Sequence, residues 1–105
     1  MTIYIVRAKP KKNLMEDLHK RLESGQISQL KPFGKAIQYG LQNAKIDDND
    51  GYAYWVEEDY CSPPLDMERE VVLDKYFDEI SVEKVKEPQR GWQKLRDKPL
   101  LWQQQ

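Results

Sequence analysis

The sequence predicts an α+β fold of element order βαββαβ, with an antiparallel sheet and two helices on one of its faces. Three observations predict it. Short apolar runs of strand-like composition stand at Ile3-Tyr4-Ile5-Val6 and at Tyr52-Ala53-Tyr54-Trp55-Val56. Two longer stretches carry apolar residues at helical spacing behind capping residues. A polar turn, Asp47-Asp48-Asn49-Asp50-Gly51, joins two alternating runs and so predicts an antiparallel hairpin.

The first strand is expected over 3–6. Ile3 and Ile5 alternate with Tyr4 and Val6, so both faces are apolar, as in a strand covered on both sides. If Ile3 and Ile5 face the helices, Tyr4 and Val6 point to the open face. Pro10, among Lys9, Lys11 and Lys12, ends the strand. A helix over 13–24 follows. Asn13 is a good N-cap and Glu16 completes a capping-box-like pair. Leu14, Met15, Leu18 and Leu22 recur at helical spacing, and Ser24-Gly25 is a stop signal. Over 26–35, Ile27, Leu30 and Phe33 suggest a helical turn that Pro32 and Gly34 interrupt; lid or plain connection both stay open. Ile37, Tyr39 and Leu41 then alternate with Gln38 and Gly40. That predicts a strand, with a helix over 36–46 as the alternative.

The aromatic third strand covers 52–57. Ser62 and Pro63 suit the start of a helix, and Asp66, Glu68 and Glu70 suit its positive end. Leu65, Val72, Leu73, Tyr76, Phe77 and Ile80 share one helical face, so the helix is expected over 67–80. The last strand is expected over 81–85, and the imperfect alternation of Val82 and Val85 suggests a bulge or an early end. The domain is thus expected over 1–87. Residues 88–105 form a C-terminal extension carrying Trp92, Leu95, Leu100, Leu101 and Trp102. So much apolar surface predicts packing, on the extension's own domain or on a partner subunit. The final Gln103-Gln104-Gln105 is short, polar and expected to be disordered.

With 105 residues the chain has room for one modest core. Lys and Arg total 17 and Asp and Glu total 18, giving a net charge of −1. Such balance argues against a dedicated nucleic-acid or membrane binder, since both usually need a basic excess. One cysteine, Cys61, excludes an internal disulfide framework and fits a reducing compartment. No apolar run is long enough to cross a membrane, and the first residues do not read as a secretory signal, so the expected location is cytoplasmic.

The order βαββαβ is the ferredoxin-like plan. Over roughly 2–87, in element order and strand composition, the chain resembles the dimeric α+β barrel superfamily. That group includes cofactor-free monooxygenases, muconolactone-isomerase-like and EthD-like proteins and YCII-like domains. The resemblance implies a homodimer whose open sheet faces pack together, with a cleft beside each sheet. It implies no reaction and carries over no catalytic residue. Monooxygenase- or isomerase-like turnover without a cofactor is compatible with it. Locally, Gly51-Tyr52-Ala53-Tyr54 and Ile3-Tyr4-Ile5 resemble the strand motifs of RNA-recognition modules, which stack bases on such aromatics. Asp50 and Glu57 stand where that pattern wants a basic residue and an aromatic, and Glu57-Glu58-Asp59 would repel phosphate.

The candidate proton-transfer groups are His19, the sole histidine, and the strand-end carboxylates Glu57 and Asp59. A neutral imidazole at the core boundary or an acid inside a barrel suits such a task. A boundary histidine and a solvated strand end are the bland alternatives. Tyr4, Tyr39 and Tyr54, with Trp102, are the candidate lining of a ligand cleft. Cys61 reads as a small packed residue. No metal or cofactor is expected: in the run 47–51, Gly51 comes one position early for a calcium loop. The leading expectation is a homodimer that binds a small apolar or aromatic molecule. A protein-interaction module without a pocket and an RNA-recognition-like module are the alternatives.

Overall fold

The computed structural model describes residues 1–102; the glutamine tail at 103–105 lies outside the described residues. The elements are β1 (Thr2–Pro10), α1 (Met15–Ser24), α2 (Gly34–Gln42), β2 (Lys45–Ile46), β3 (Ala53–Asp59), α3 (66–76), β4 (Phe77–Val85) and α4 (Pro88–Leu95). The fold is α+β. Its four strands form one antiparallel sheet in the order β2-β3-β1-β4.

The β1–β3 register decides which side chains share a face. Ile3 lies opposite Glu58, Ile5 opposite Val56 and Arg7 opposite Tyr54; Tyr4 lies opposite Glu57 and Val6 opposite Trp55. Tyr4, Val6, Ala8, Ala53 and Trp55 face the main core, where they meet Leu18 and Leu22 of α1, Ile37 and Leu41 of α2, and Val72, Leu73 and Tyr76 of α3. Ile3, Ile5 and Val56 lie on the opposite face. The expected orientation of β1 is therefore inverted.

That opposite face is not open. α4 lies across it, and Leu95 and Trp92 form a second small core with Ile3, Ile5 and Val56. Gly91 permits the close approach: a Cβ there would stand 2.7 Å from Cγ2 of Val56. The chain then returns to the sheet's outer edge. Ile46 N–H donates to the Pro99 carbonyl at 2.9 Å, Leu101 N–H to the Ala44 carbonyl at 2.8 Å, and Leu100 bridges to Lys45.

Three expected elements differ. The stretch 37–41 is helical, within α2. Ile37 and Leu41 are four residues apart, so they share a helical face as readily as a strand face. Gly40 is buried between them against Trp55, while Tyr39 points outward at 60% exposure. The buried third position carries no side chain, which left a false alternation. The strand of this region is only the two-residue β2. The second helix ends at Tyr76, and the last strand begins at Phe77, whose backbone is extended and whose ring packs 5.1 Å from Trp55. An extra residue in β4 opposite the step from Arg7 to Lys9, with Glu79 at φ 52°, is the bulge that blurs the alternation of this strand. Finally, Asn13 lies inside a 3-10 turn, Lys12–Leu14, and makes no capping bond to α1. Gly25, with φ 83°, ends α1 in a left-handed cap as expected.

Candidate functional site

Two sites emerge at opposite ends of the sheet. The first is a cleft of about 650 Å³ at the C-terminal end of β1. Pro10, the loop residues Asp47, Asp48 and Gly51, the α1 residues Met15, Glu16 and His19, and the returning Leu101 and Trp102 line it, with Ile46 and Lys12. Local structure fixes each wall. The loop is held by its own acids: Asp47 Oδ1 accepts from Asn49 N–H at 2.8 Å and Asp50 Oδ1 from Tyr52 N–H at 2.8 Å. Lys98 Nζ lies 2.7 Å from Asp47 Oδ2, tying the C-terminal segment to the loop. Its ammonium holds the Asp47 carboxyl below the usual carboxylate range. Trp102 is anchored by Nε1–H donation to the Leu41 carbonyl at 2.6 Å. Its indole lies parallel to the His19 imidazole, with centroids 4.9 Å apart and planes inclined by 6°. The cleft is thus lined by a stacked aromatic pair, by the apolar Met15, Ile46 and Leu101, and by the charged Glu16, Asp48 and Lys12.

The second site lies inside the protein, where β3 ends and α3 begins. Glu57 is 2% exposed, Asp59 4% and Glu68 1%. Parity sends Glu57 and Asp59 to the helix side of β3. Glu68 joins them because it falls three residues after Leu65 and four before Val72 on the buried stripe of α3. Trp55 Nε1–H donates to Glu57 Oε1 at 2.9 Å, and Leu65 N–H donates to Asp59 Oδ2 at 2.6 Å. Leu65 makes that bond from a left-handed backbone, φ 62°. The Cys61 thiol lies 3.9 Å from Glu68 Oε1. A π turn over Arg69–Leu73 follows directly on Glu68, an irregularity common at functional sites. Burial pushes the Glu57 carboxyl well above the usual range; the Trp55 bond opposes that and the Glu68 charge adds to it. Burial raises the Glu68 carboxyl too.

The candidate residues are distributed accordingly. His19 and Trp102 are brought together in the cleft. Glu57 and Asp59 are buried neighbours at the other end of β3, roughly 20 Å along the sheet at ~3.3 Å per residue. No proton-transfer set uniting them with His19 is assembled. Tyr4 is a core residue, 6% exposed, and is not among the residues lining the cleft. Tyr39 stands exposed against Trp92, ring edge to face at 6.2 Å, and the two border a smaller cavity of about 290 Å³ together with Glu57 and Pro88. Tyr54 belongs to a polar network on the α4 side: it accepts from Arg7 Nε at 3.1 Å and donates to Asp50 Oδ2 at 2.7 Å. Tyr4 and Tyr54 therefore face opposite ways and cannot share the stacking platform of an RNA-recognition module. Sequence reasoning missed Glu68 and Cys61. The available signal was an acid set on an otherwise apolar helix stripe.

Compared with protein-family models, with curated proteins and with solved structures, the chain finds no match.

Proposed function

We propose that the protein binds a small, flat, partly apolar molecule in the cleft beside α1. The observation that carries this reading is the stacked His19–Trp102 pair forming one wall of a cavity of about 650 Å³. Ligand clefts usually enclose ~300–1,000 Å³ and combine aromatic walls with a few polar groups. A planar ring can pack against the stacked indole–imidazole pair, over Met15, Ile46 and Leu101, while Glu16 and Asp48 favour a cationic end. Asp47 is already engaged by Lys98. His19 is then a binding group and the one candidate proton carrier in the cleft, since Glu57 and Asp59 lie beyond its reach.

The strand order and the βαββαβ core support a ferredoxin-like architecture. In a dimeric barrel the face opposite the helices receives a second subunit. Here α4 covers Ile3, Ile5 and Val56 on that face. We read α4 as an intramolecular substitute for the partner sheet, and the chain as a monomer that carries its own cover.

His19 is the only histidine, so its imidazole proton resonances report on the cleft without assignment. Titration with indole, tryptamine and indole acetate is expected to shift them, tryptamine most strongly. Trp102→Ala should weaken that binding about tenfold, the worth of ~1.4 kcal/mol of aromatic contact. Unmoved His19 resonances with all three probes at millimolar concentration would overturn the reading.

A further inference from the structure

The buried acids at the end of β3 have hydrogen-bond donors but no cation beside them among the described residues. Carboxylates this deep are normally paired with a cation or held neutral. None of the ion pairs among the described residues involves Glu57, Asp59 or Glu68. Oε2 of Glu57 has no hydrogen-bond partner at all, although the residue is 2% exposed. Asp59, Cys61 and Glu68 each present a ligand atom, and the three atoms lie within 4.8 Å of one another.

We propose that Asp59, Cys61 and Glu68 form a binding site for a divalent transition-metal ion of borderline softness, Zn²⁺ being the type case, and that the buried, unpartnered carboxylate oxygen of neighbouring Glu57 turns to it as the fourth donor. The spacing of one donor pair suits this. Zinc–sulfur and zinc–oxygen bonds of about 2.3 and 2.0–2.2 Å set tetrahedral donors roughly 3.5 Å apart. Cys61 Sγ and Glu68 Oε1 are within a few tenths of that at 3.9 Å. The donor set selects the ion's class. A thiolate disfavours Mg²⁺ and Ca²⁺, and several carboxylates disfavour Cu⁺. The hydrogen bonds from Trp55 and Leu65 already orient two of the carboxylates, as outer partners do around metal ligands. An ion can enter beside Cys61, which is half-buried and follows Tyr60, 83% exposed.

The test uses the full chain, stripped with chelator and titrated with Co²⁺ and Zn²⁺. One equivalent of Co²⁺ should give a thiolate-to-cobalt charge-transfer band. One equivalent of Zn²⁺ should raise the melting temperature and slow alkylation of Cys61, the sole cysteine. Cys61→Ser, a half-buried and nearly isosteric change, should keep the far-ultraviolet circular dichroism and lose the cobalt band. Glu68→Gln should weaken Zn²⁺ binding by about tenfold or more. Absence of both the band and the melting shift at stoichiometric metal would overturn the proposal. So would a cobalt band that survives Cys61→Ser, or alkylation indifferent to Zn²⁺.

Discussion

Tyr76 shows how one side chain can hold two elements and set a carboxyl's acidity. It sits at the end of α3, its ring fully buried. Its hydroxyl donates to Asp17 Oδ2 and accepts from Arg21 Nη1 at 3.1 Å, both on α1. That donation, with the ammonium of Lys75 nearby, holds the Asp17 carboxyl below its usual range. A depressed folded value means the charged form is favoured by folding. Its contribution is present above the unfolded value, near pH 4, and is lost as pH falls through the folded one. Tyr76→Phe should therefore lower the melting temperature at pH 7, with wild type and variant converging as pH falls below about 4. A gap of constant size across that range would mean the hydroxyl acts through packing alone. Burial parity works at the same scale. Tyr4 and Glu57, cross-strand neighbours, both turn toward the helices, so a tyrosine chosen as a cleft residue became core and an acid chosen as a strand-end group became buried.

Among the elements, α4 and α2 depend on glycines for opposite reasons of legibility. Gly91 lets α4 lie on the sheet, where an added methyl would stand 2.7 Å from Val56 and 3.4 Å from Ile5. Gly91→Ala gains about 1 kcal/mol of helix propensity but forces an overpacked contact costing ~1–3 kcal/mol. The contact involves two buried β-branched side chains, so overpacking should win. Chemical denaturation should show a net loss of up to about 2 kcal/mol, and the α4 amides should exchange faster than in wild type. A stabilised variant would show that the helix shifts freely on the face. The helix itself was not legible: Trp92 and Leu95 announced packing, but which surface they would choose depends on where the sheet's second face lies. For α2 the sequence misled. Ile37, Tyr39 and Leu41 fit period two, and only the outward Tyr39 and the buried Gly40 separate helix from strand. The hairpin loop, α1 and the antiparallel sheet were readable because Asx turns, a glycine cap and aromatic β-rich runs act locally. The end of α3 was not, because Phe77 and Ile80 keep helical spacing while the β4 bulge lets them pack from a strand. The two sites divide the same way. His19 and Trp102 could be named as candidates, but their stacking required the tail's return to β2, a contact between residues 83 positions apart in the chain.

For the whole molecule, the decisive quantity is how much apolar sheet α4 keeps from water. Ile3, Ile5 and Val56 are nearly inaccessible under Leu95 and Trp92. The other broad apolar face of the sheet is filled by α1, α2 and α3. The exposed large apolar residues, Met1, Tyr39, Tyr60, Met67, Val71 and Val82, are distributed over the N-terminus, α2, the loop after β3, α3 and β4. The edge strand β4 carries Asp78, Glu79, Glu83 and Lys84, charges that discourage pairing with another copy. Light scattering on a sizing column should then give a mass near 12.5 kDa. Undocking α4 should reverse this. Leu95 is 3% exposed, and Leu95→Glu would bury a charge against Ile3, Ile5 and Val56, a cost of several kcal/mol that lifting the helix avoids. Lifting it bares an apolar sheet face of the kind through which barrel subunits pair. The variant should therefore associate as its concentration rises, while Leu95→Ala, which keeps the helix docked at a loss of about 2–4 kcal/mol, should stay monomeric. A wild type near twice 12.5 kDa, or a Leu95→Glu variant that melts early yet never associates, would show that the sheet face under α4 does not govern assembly.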